Sequence, residues 1–125
     1  MGVRSDVFVA TKEHIFLNLK PETQKFLEEM SDQSSKKPEG RAFIFESVKW
    51  YVNDYSEIVE LYDALKYLTS SPENGFYEED YIIIEACGEY PEYDENNIGE
   101  WHDNPWEAHK EVSVTVHVSD PNEFD

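Results

Sequence analysis

Between Val3 and Thr11 the chain alternates, with Val7 and Val9 on one side and Phe8 on the other, and a period of two marks a β-strand. Thr11 then stands where a capping hydroxyl would open a helical turn through His14, Ile15 and Leu17. Pro21 suits a first helical position, where its missing N–H would have no intrahelical partner. Phe26, Leu27 and Met30 give the helix that follows an apolar stripe. Residues 31–40, Ser-Asp-Gln-Ser-Ser-Lys-Lys-Pro-Glu-Gly, are turn-rich and of low complexity, and read as an exposed loop. Ala42 to Tyr51 is rich in β-formers and predicts one long strand or a tight pair broken near Glu46-Ser47.

The strongest helical signal comes next. Asp54 and Glu57 have capping-box spacing. Ile58, Leu61, Tyr62, Leu65 and Leu68 recur at helical intervals, which leaves Glu57, Glu60 and Asp63 on the wet side. Ser70-Ser71-Pro72-Glu73-Asn74-Gly75 ends this helix. Tyr81 to Cys87 predicts a strand whose unbroken Ile82-Ile83-Ile84 centre is covered on both faces, or covered on one and flanked by neighbours. Glu89 to Asn97 reads as an acidic loop and Asn97 to His102 as its return strand. Glu111 to Val118 alternates, with Val112, Val114, Val116 and Val118 opposite Ser113, Thr115 and His117, as in a half-buried strand at an edge. Ser119 to Asp125 is expected to fray. Helices that alternate with so few strands favour an α+β domain spanning 1–125, a mostly antiparallel sheet of four to five strands with two helices on one face.

Charge changes the picture more than composition does. The formal net charge is −18, yet residues 1–50 are neutral, and residues 51–125 hold only Lys66 and Lys110 as basic residues. A field of that sign repels phosphate, which argues against direct nucleic-acid binding and against anionic membranes. It steers a basic protein partner inward. Cys87 is the sole cysteine, so no intramolecular disulfide can form, and its place at the end of an apolar run makes it a small buried hydrophobe. The opening residues lack an apolar signal region, and a cytoplasmic location is expected.

Catalytic and metal chemistry find little to stand on. A calcium loop starting at Asp94 would place Asn96 and Gly99 correctly, but Ile98 falls where an oxygen ligand belongs and Pro105 where the bidentate Glu belongs. His14, His102, His109 and His117 lack cysteine partners and short ligand spacing. No phosphate loop, nucleophile elbow or Cys-His arrangement occurs. No cofactor, metal or catalytic residue is therefore assigned, and the chain does not read as an enzyme. The competing enzymatic class is a small metal-dependent hydrolase built from some of the 28 acidic residues.

A binding surface fits the residues better. Glu78, Glu79 and Asp80 precede the Tyr81–Cys87 strand; Glu89, Glu92, Asp94 and Glu95 follow it; Glu100, Asp103 and Glu107 come shortly after. Pairing that strand with Asn97–His102 would set the later two groups near one end of the sheet. Carboxylates on alternate strand positions, about 6.8 Å apart, would imitate the repeating charge of a DNA backbone. Tyr93, Trp101 and Trp106 supply aromatic anchors among these acids.

The opening Met1-Gly2-Val3-Arg4-Ser5-Asp6-Val7 resembles the Met-Gly-Tyr-Arg-Ser-Asp-Val start of a family of small uncharacterised proteins of tailed bacteriophages and prophages. Val48-Lys49-Trp50-Tyr51, Gly88-Glu89, Tyr93-Asp94-Glu95 and Gly99 extend the likeness. Val3 replaces the usual Tyr, and Glu85 stands where Arg is expected. The resemblance implies phage origin and a role in the host cytoplasm, without a chemistry. Charge and resemblance together lead to the expectation of an acidic protein that inhibits or modulates a host factor with a basic surface, such as a defence or nucleic-acid-binding protein. The alternative is an accessory homodimer paired through Glu111 to Val118.

Overall fold

The computed structural model describes residues 5–50, 55–70, 73, 75–86, 97–111, 115–118, 122 and 124. β1 (Ser5–Lys12) is the middle strand of a five-stranded sheet with β2 (Gln33–Lys37), β3 (Gly40–Val48), β4 (Tyr81–Ala86) and β5 (Ile98–Gly99), in the order β2-β3-β1-β4-β5. Every neighbouring pair is antiparallel. β1 takes the centre because it is apolar on both faces. Val7 and Val9 point into one core layer with Ile15, Leu27, Phe43, Leu61 and Ile83, and Phe8 and Ala10 into another with Ile82, Ile84, Trp101 and Trp106.

The first layer lies under α1 (Glu13–Leu17), α2 (Pro21–Met30) and α3 (Ser56–Leu68), so all three helices cover one face of the sheet. This is the expected α+β arrangement, with the one-turn α1 as a helix of its own. α3 buries Ile58, Leu61, Tyr62 and Leu65 and exposes Glu57, Glu60 and Asp63, as its spacing requires. It starts at Ser56 after Tyr55; Asp54, the expected cap, lies outside the described residues. Pro21 opens α2, which buries Leu27 but leaves Met30 exposed.

Among the described residues the second layer has no helix. Its lid is the chain after β5, through Trp101, Trp106, Ala108, Val118 and Phe124. Phe124 is buried and meets Phe8 and Trp106 edge-on or tilted, at 6.4 and 6.5 Å between centroids. The frayed end expected from Ser119 onward is thus pinned at Phe124, because Phe8 on β1 needs apolar cover. The single strand expected over Glu111 to Val118 is instead a hairpin, β6 (His109–Glu111) with β7 (Thr115–His117), which forms a separate two-stranded sheet. Val112, Ser113 and Val114 lie outside the described residues, as does Cys87.

Residues 31–40 depart most from expectation. Gln33–Lys37 pairs with β3 across the two-residue turn Pro38-Glu39. No apolar pattern of its own makes this segment a strand; its partners do. The Asp32 N–H donates to the Ile44 carbonyl at 2.8 Å, the Asp32 carboxylate accepts the Glu46 N–H at 2.7 Å, and Ser35 Oγ accepts the Trp106 indole N–H at 2.8 Å. Gly40 closes the turn where a Cβ would come within 2.1 Å of the Thr11 carbonyl oxygen. β3 then runs as one strand to Val48, with an irregularity at the suspected break: Ser47 has φ 51°, and the register with β1 shifts between Ser5 and Val7.

Thr11 does not cap α1. Thr11 belongs to β1, Lys12 takes the cap position without a side-chain bond, and the Thr11 hydroxyl is buried with no hydrogen-bond partner among the described residues. A buried hydroxyl in that state loses its hydration and recovers nothing. Thr11→Val keeps the β-branched shape and is expected to add about 1 kcal/mol of stability, read as a higher urea midpoint at unchanged slope.

Candidate functional site

Pairing of β4 with β5 sets Ile82 opposite Gly99 and Ile83 opposite Ile98. Gly99 has φ +84°, and a Cβ there would lie 2.3 Å from the Tyr81 carbonyl oxygen, so only glycine fits. Beyond it the Glu100 N–H donates to the Glu78 carbonyl at 2.7 Å and the Trp101 N–H to the Tyr81 carbonyl at 3.1 Å. These bonds stitch the exit of β5 to the 3-10 turn Glu78–Asp80 ahead of β4. Among the described residues this brings Glu78 and Glu100 together, and Glu78, Glu79, Glu100 and Asp103 are all exposed. The group before β4 thus reaches Glu100 through the Glu78 carbonyl. Glu89, Glu92, Tyr93, Asp94 and Glu95 lie outside the described residues.

Three expected contact residues face inward instead. Trp101 and Trp106 are 4% and 1% exposed and meet edge-to-face at 5.8 Å. Lys12 Nζ lies 5.9 Å from the Trp101 ring centroid and Lys37 Nζ 5.9 Å from that of Trp106. Asn104 holds the loop between them, donating to the Trp101 carbonyl at 2.9 Å and accepting the Ala108 N–H at 3.0 Å. These tryptophans close the sheet face without helices, and so they are core rather than docking anchors.

Asp80 is the third. Its carboxylate meets Lys12 Nζ at 3.1 Å and His14 Nε2 at 3.0 Å, and accepts the Tyr77 N–H at 3.1 Å. Burial alone would raise its pKa, but the Lys12 ammonium, the Tyr77 N–H and the His14 ring together hold it below the usual carboxylate value. The His14 ring also stacks on Phe76 at 5.3 Å. Asp80 thus ties the turn to the β1–α1 junction and offers nothing outward.

A carboxylate row along β4 does not exist, because all six of its residues are buried. Glu85, where the phage-protein resemblance leads one to expect Arg, lies inside and accepts the Ser5 hydroxyl at 2.6 Å. Among the described residues after position 55, the exposed acids lie in turns and loops and on α3. The helical part escaped recognition as a site: Glu60 and Asp63, with the exposed Tyr67, line a groove of about 440 Å³ between α3 and Asn18 and Lys20. The signal was present in the helical spacing of those acids, but wet-face acids are too common to single out.

The electrostatics follow from where the cations go. Arg41 is engaged by Glu13 at 2.8 Å and Glu28 at 3.6 Å and lies 4.1 Å over the Phe16 ring; Lys12 binds Asp80, and Lys25 pairs with Glu29 at 3.8 Å. Among the described residues no ion pair reaches Glu60, Asp63, Glu78, Glu79, Glu100 or Asp103. Lys12 and His14 meet Asp80, whereas Lys25, Lys36 and Arg41 pair within the formally neutral N-terminal half, and the carboxylates after residue 50 carry the excess charge. That excess can attract and orient a cationic surface. Among the described residues no group of three or more His, Cys, Asp or Glu side chains is placed to hold a metal ion, and no helix is long and apolar enough to cross a membrane. No family model, curated protein or solved structure matches the chain.

Proposed function

We infer that this chain is a non-enzymatic, phage-encoded acidic binding protein that inhibits or modulates a host protein bearing a basic, nucleic-acid-binding surface. One observation carries the reading: Glu78 and Glu100 are joined through their backbones, and they, Glu79 and Asp103 are exposed and without ion-pair partners among the described residues, in a chain of net charge −18. Carboxylates fixed by backbone hydrogen bonds present charge at a lower entropic cost than carboxylates on a free loop. Partner recognition then depends on charge complementarity. It shows chiefly as fast, salt-sensitive association. Occupation of a DNA- or RNA-binding groove by this acidic end is the mechanism, and DNA mimicry is its limiting form.

The test is capture from host lysate by tagged protein at low and high salt, followed by competition between duplex DNA and this chain for the captured protein. A basic partner released by salt, and displaced from DNA, is the expected result. The combined substitution Glu78→Gln, Glu79→Gln, Glu100→Gln and Asp103→Asn is expected to weaken that binding at least tenfold while leaving the unfolding midpoint within error. Equal binding by the substituted chain would remove the acidic end from the mechanism. Simultaneous, non-competitive binding of DNA and this chain would rule out mimicry.

A further inference from the structure

Among the described residues the sheet has one substantial open edge. Along β3 the odd-numbered residues bond to β1, a parity that continues into the bond from the Glu13 N–H to the Glu39 carbonyl. The even-numbered residues Gly40, Ala42 and Ile44 bond to Lys37, Ser35 and Gln33 of β2. The N–H and C=O groups of Ser34 and Lys36 consequently point away from the sheet, and among the described residues no hydrogen bond to them occurs. The opposite edge, β5, is two residues long and cannot serve as a template of this kind.

We propose that β2 pairs antiparallel with β2 of a second copy of this chain about a twofold axis at Ser35, joining the two sheets into one. The register is self-complementary. With Ser35 opposite Ser35 of the partner subunit, Ser34 falls opposite Lys36 of the partner subunit and Lys36 opposite Ser34 of the partner subunit. Both are hydrogen-bonded pairs in this parity, so the four outward N–H groups and four outward carbonyls have four bonds to form. Lysine at an edge ordinarily discourages pairing, but no lysine meets another across this axis. Charge selects the same occupant. β2 lies in the electrically neutral N-terminal half and carries Lys36 and Lys37 itself, so joining two copies there keeps their acidic halves apart. This pairing does not depend on the host-factor reading above.

Four main-chain bonds over a five-residue strand support a weak dimer, with Kd in the range of roughly 10–100 µM. Sedimentation velocity over a concentration series should show a shift from monomer to dimer. Lys36→Pro removes an outward N–H without touching the β2–β3 ladder, and should abolish the shift while circular dichroism and the unfolding midpoint stay native. Ser34→Lys, which sets like charges opposite each other, should weaken association at least tenfold at low salt, and adding Lys36→Glu should restore it. A wild-type chain that stays monomeric throughout, or a Lys36→Pro chain that associates as well as the wild type, overturns the proposal. So does an edge that takes up only an acidic peptide and never a second copy.

Discussion

Trp106→Ala is expected to cost about 4 kcal/mol, the largest loss from any single truncation on the helix-free side of the sheet. Trp106 is the largest of the fully buried side chains. Its ring lies 6.3 Å from Phe8, 5.8 Å from Trp101 and 6.5 Å from Phe124, and its indole N–H reaches across to Ser35 on the edge strand. Among the described residues no helix stands behind it to close a cavity, so the lid has little to collapse onto. Trp106→Phe is the informative control. It keeps an aromatic ring against Phe8 and Trp101 but deletes the bond to Ser35, and should lose about 1–2 kcal/mol. Urea unfolding at pH 7 reads both values. If Trp106→Ala cost less than about 1 kcal/mol, the residue would behave like an exposed one, and the assignment of the tryptophans to the core would fall.

The contrast between the two faces explains which elements could be read in advance. β1, α3 and β4 announce themselves because each buries side chains at its own natural period, as Val7, Val9 and Phe8 do in β1 and Ile58, Leu61 and Leu65 do in α3. β2 has no such pattern. Its pairing comes from Asp32, Ser35 and the turn at Pro38, contacts that exist only once β3 and Trp106 are in place. The hairpin of β6 and β7 was hidden for the opposite reason. An alternating run predicts strand equally well whether the chain continues or folds back, and periodicity does not mark the turn.

The site was legible in its charge and not in its geometry. Segregation of the net charge to residues after 50 is plain from composition, and Glu78, Glu79, Glu100 and Asp103 are indeed exposed. Counting could not tell these acids from Asp80 and Glu85, which are buried and bonded inside. An aromatic beside an acid has the same ambiguity. Trp101 and Trp106 look like anchors in a row of letters, yet a sheet face without a helix needs large rings of its own. The pairing of β4 with β5 decides which acids become neighbours, and it rests on Gly99 alone for its closest approach.

Asp80 converts that inner role into a pH dependence. Its folded-state pKa is lowered, so ionised Asp80 favours the folded chain. The sign follows from that direction: the contribution is complete above the unfolded carboxylate pKa, near 4, and is lost as pH falls through the lower folded value. Asp80→Asn keeps the shape but cannot ionise, and leaves Lys12 and His14 facing a neutral amide. Both partners are partly exposed, with side chains 39% and 46% accessible, so water recovers part of what they lose. The expected cost at pH 7 is therefore about 2 kcal/mol, below that of breaking a fully buried pair. Measured from pH 7 to pH 2.5, the gap between wild type and Asp80→Asn should hold down to about pH 4 and then close as the wild-type carboxyl takes up its proton. A gap independent of pH, or absent at pH 7, would show that the Asp80 charge does not hold the turn. Because Glu78 and Glu79 ride on that turn, hydrogen exchange at the Asp80 and Glu100 N–H groups should quicken in Asp80→Asn. The exposed acids then owe their fixed positions to a buried one.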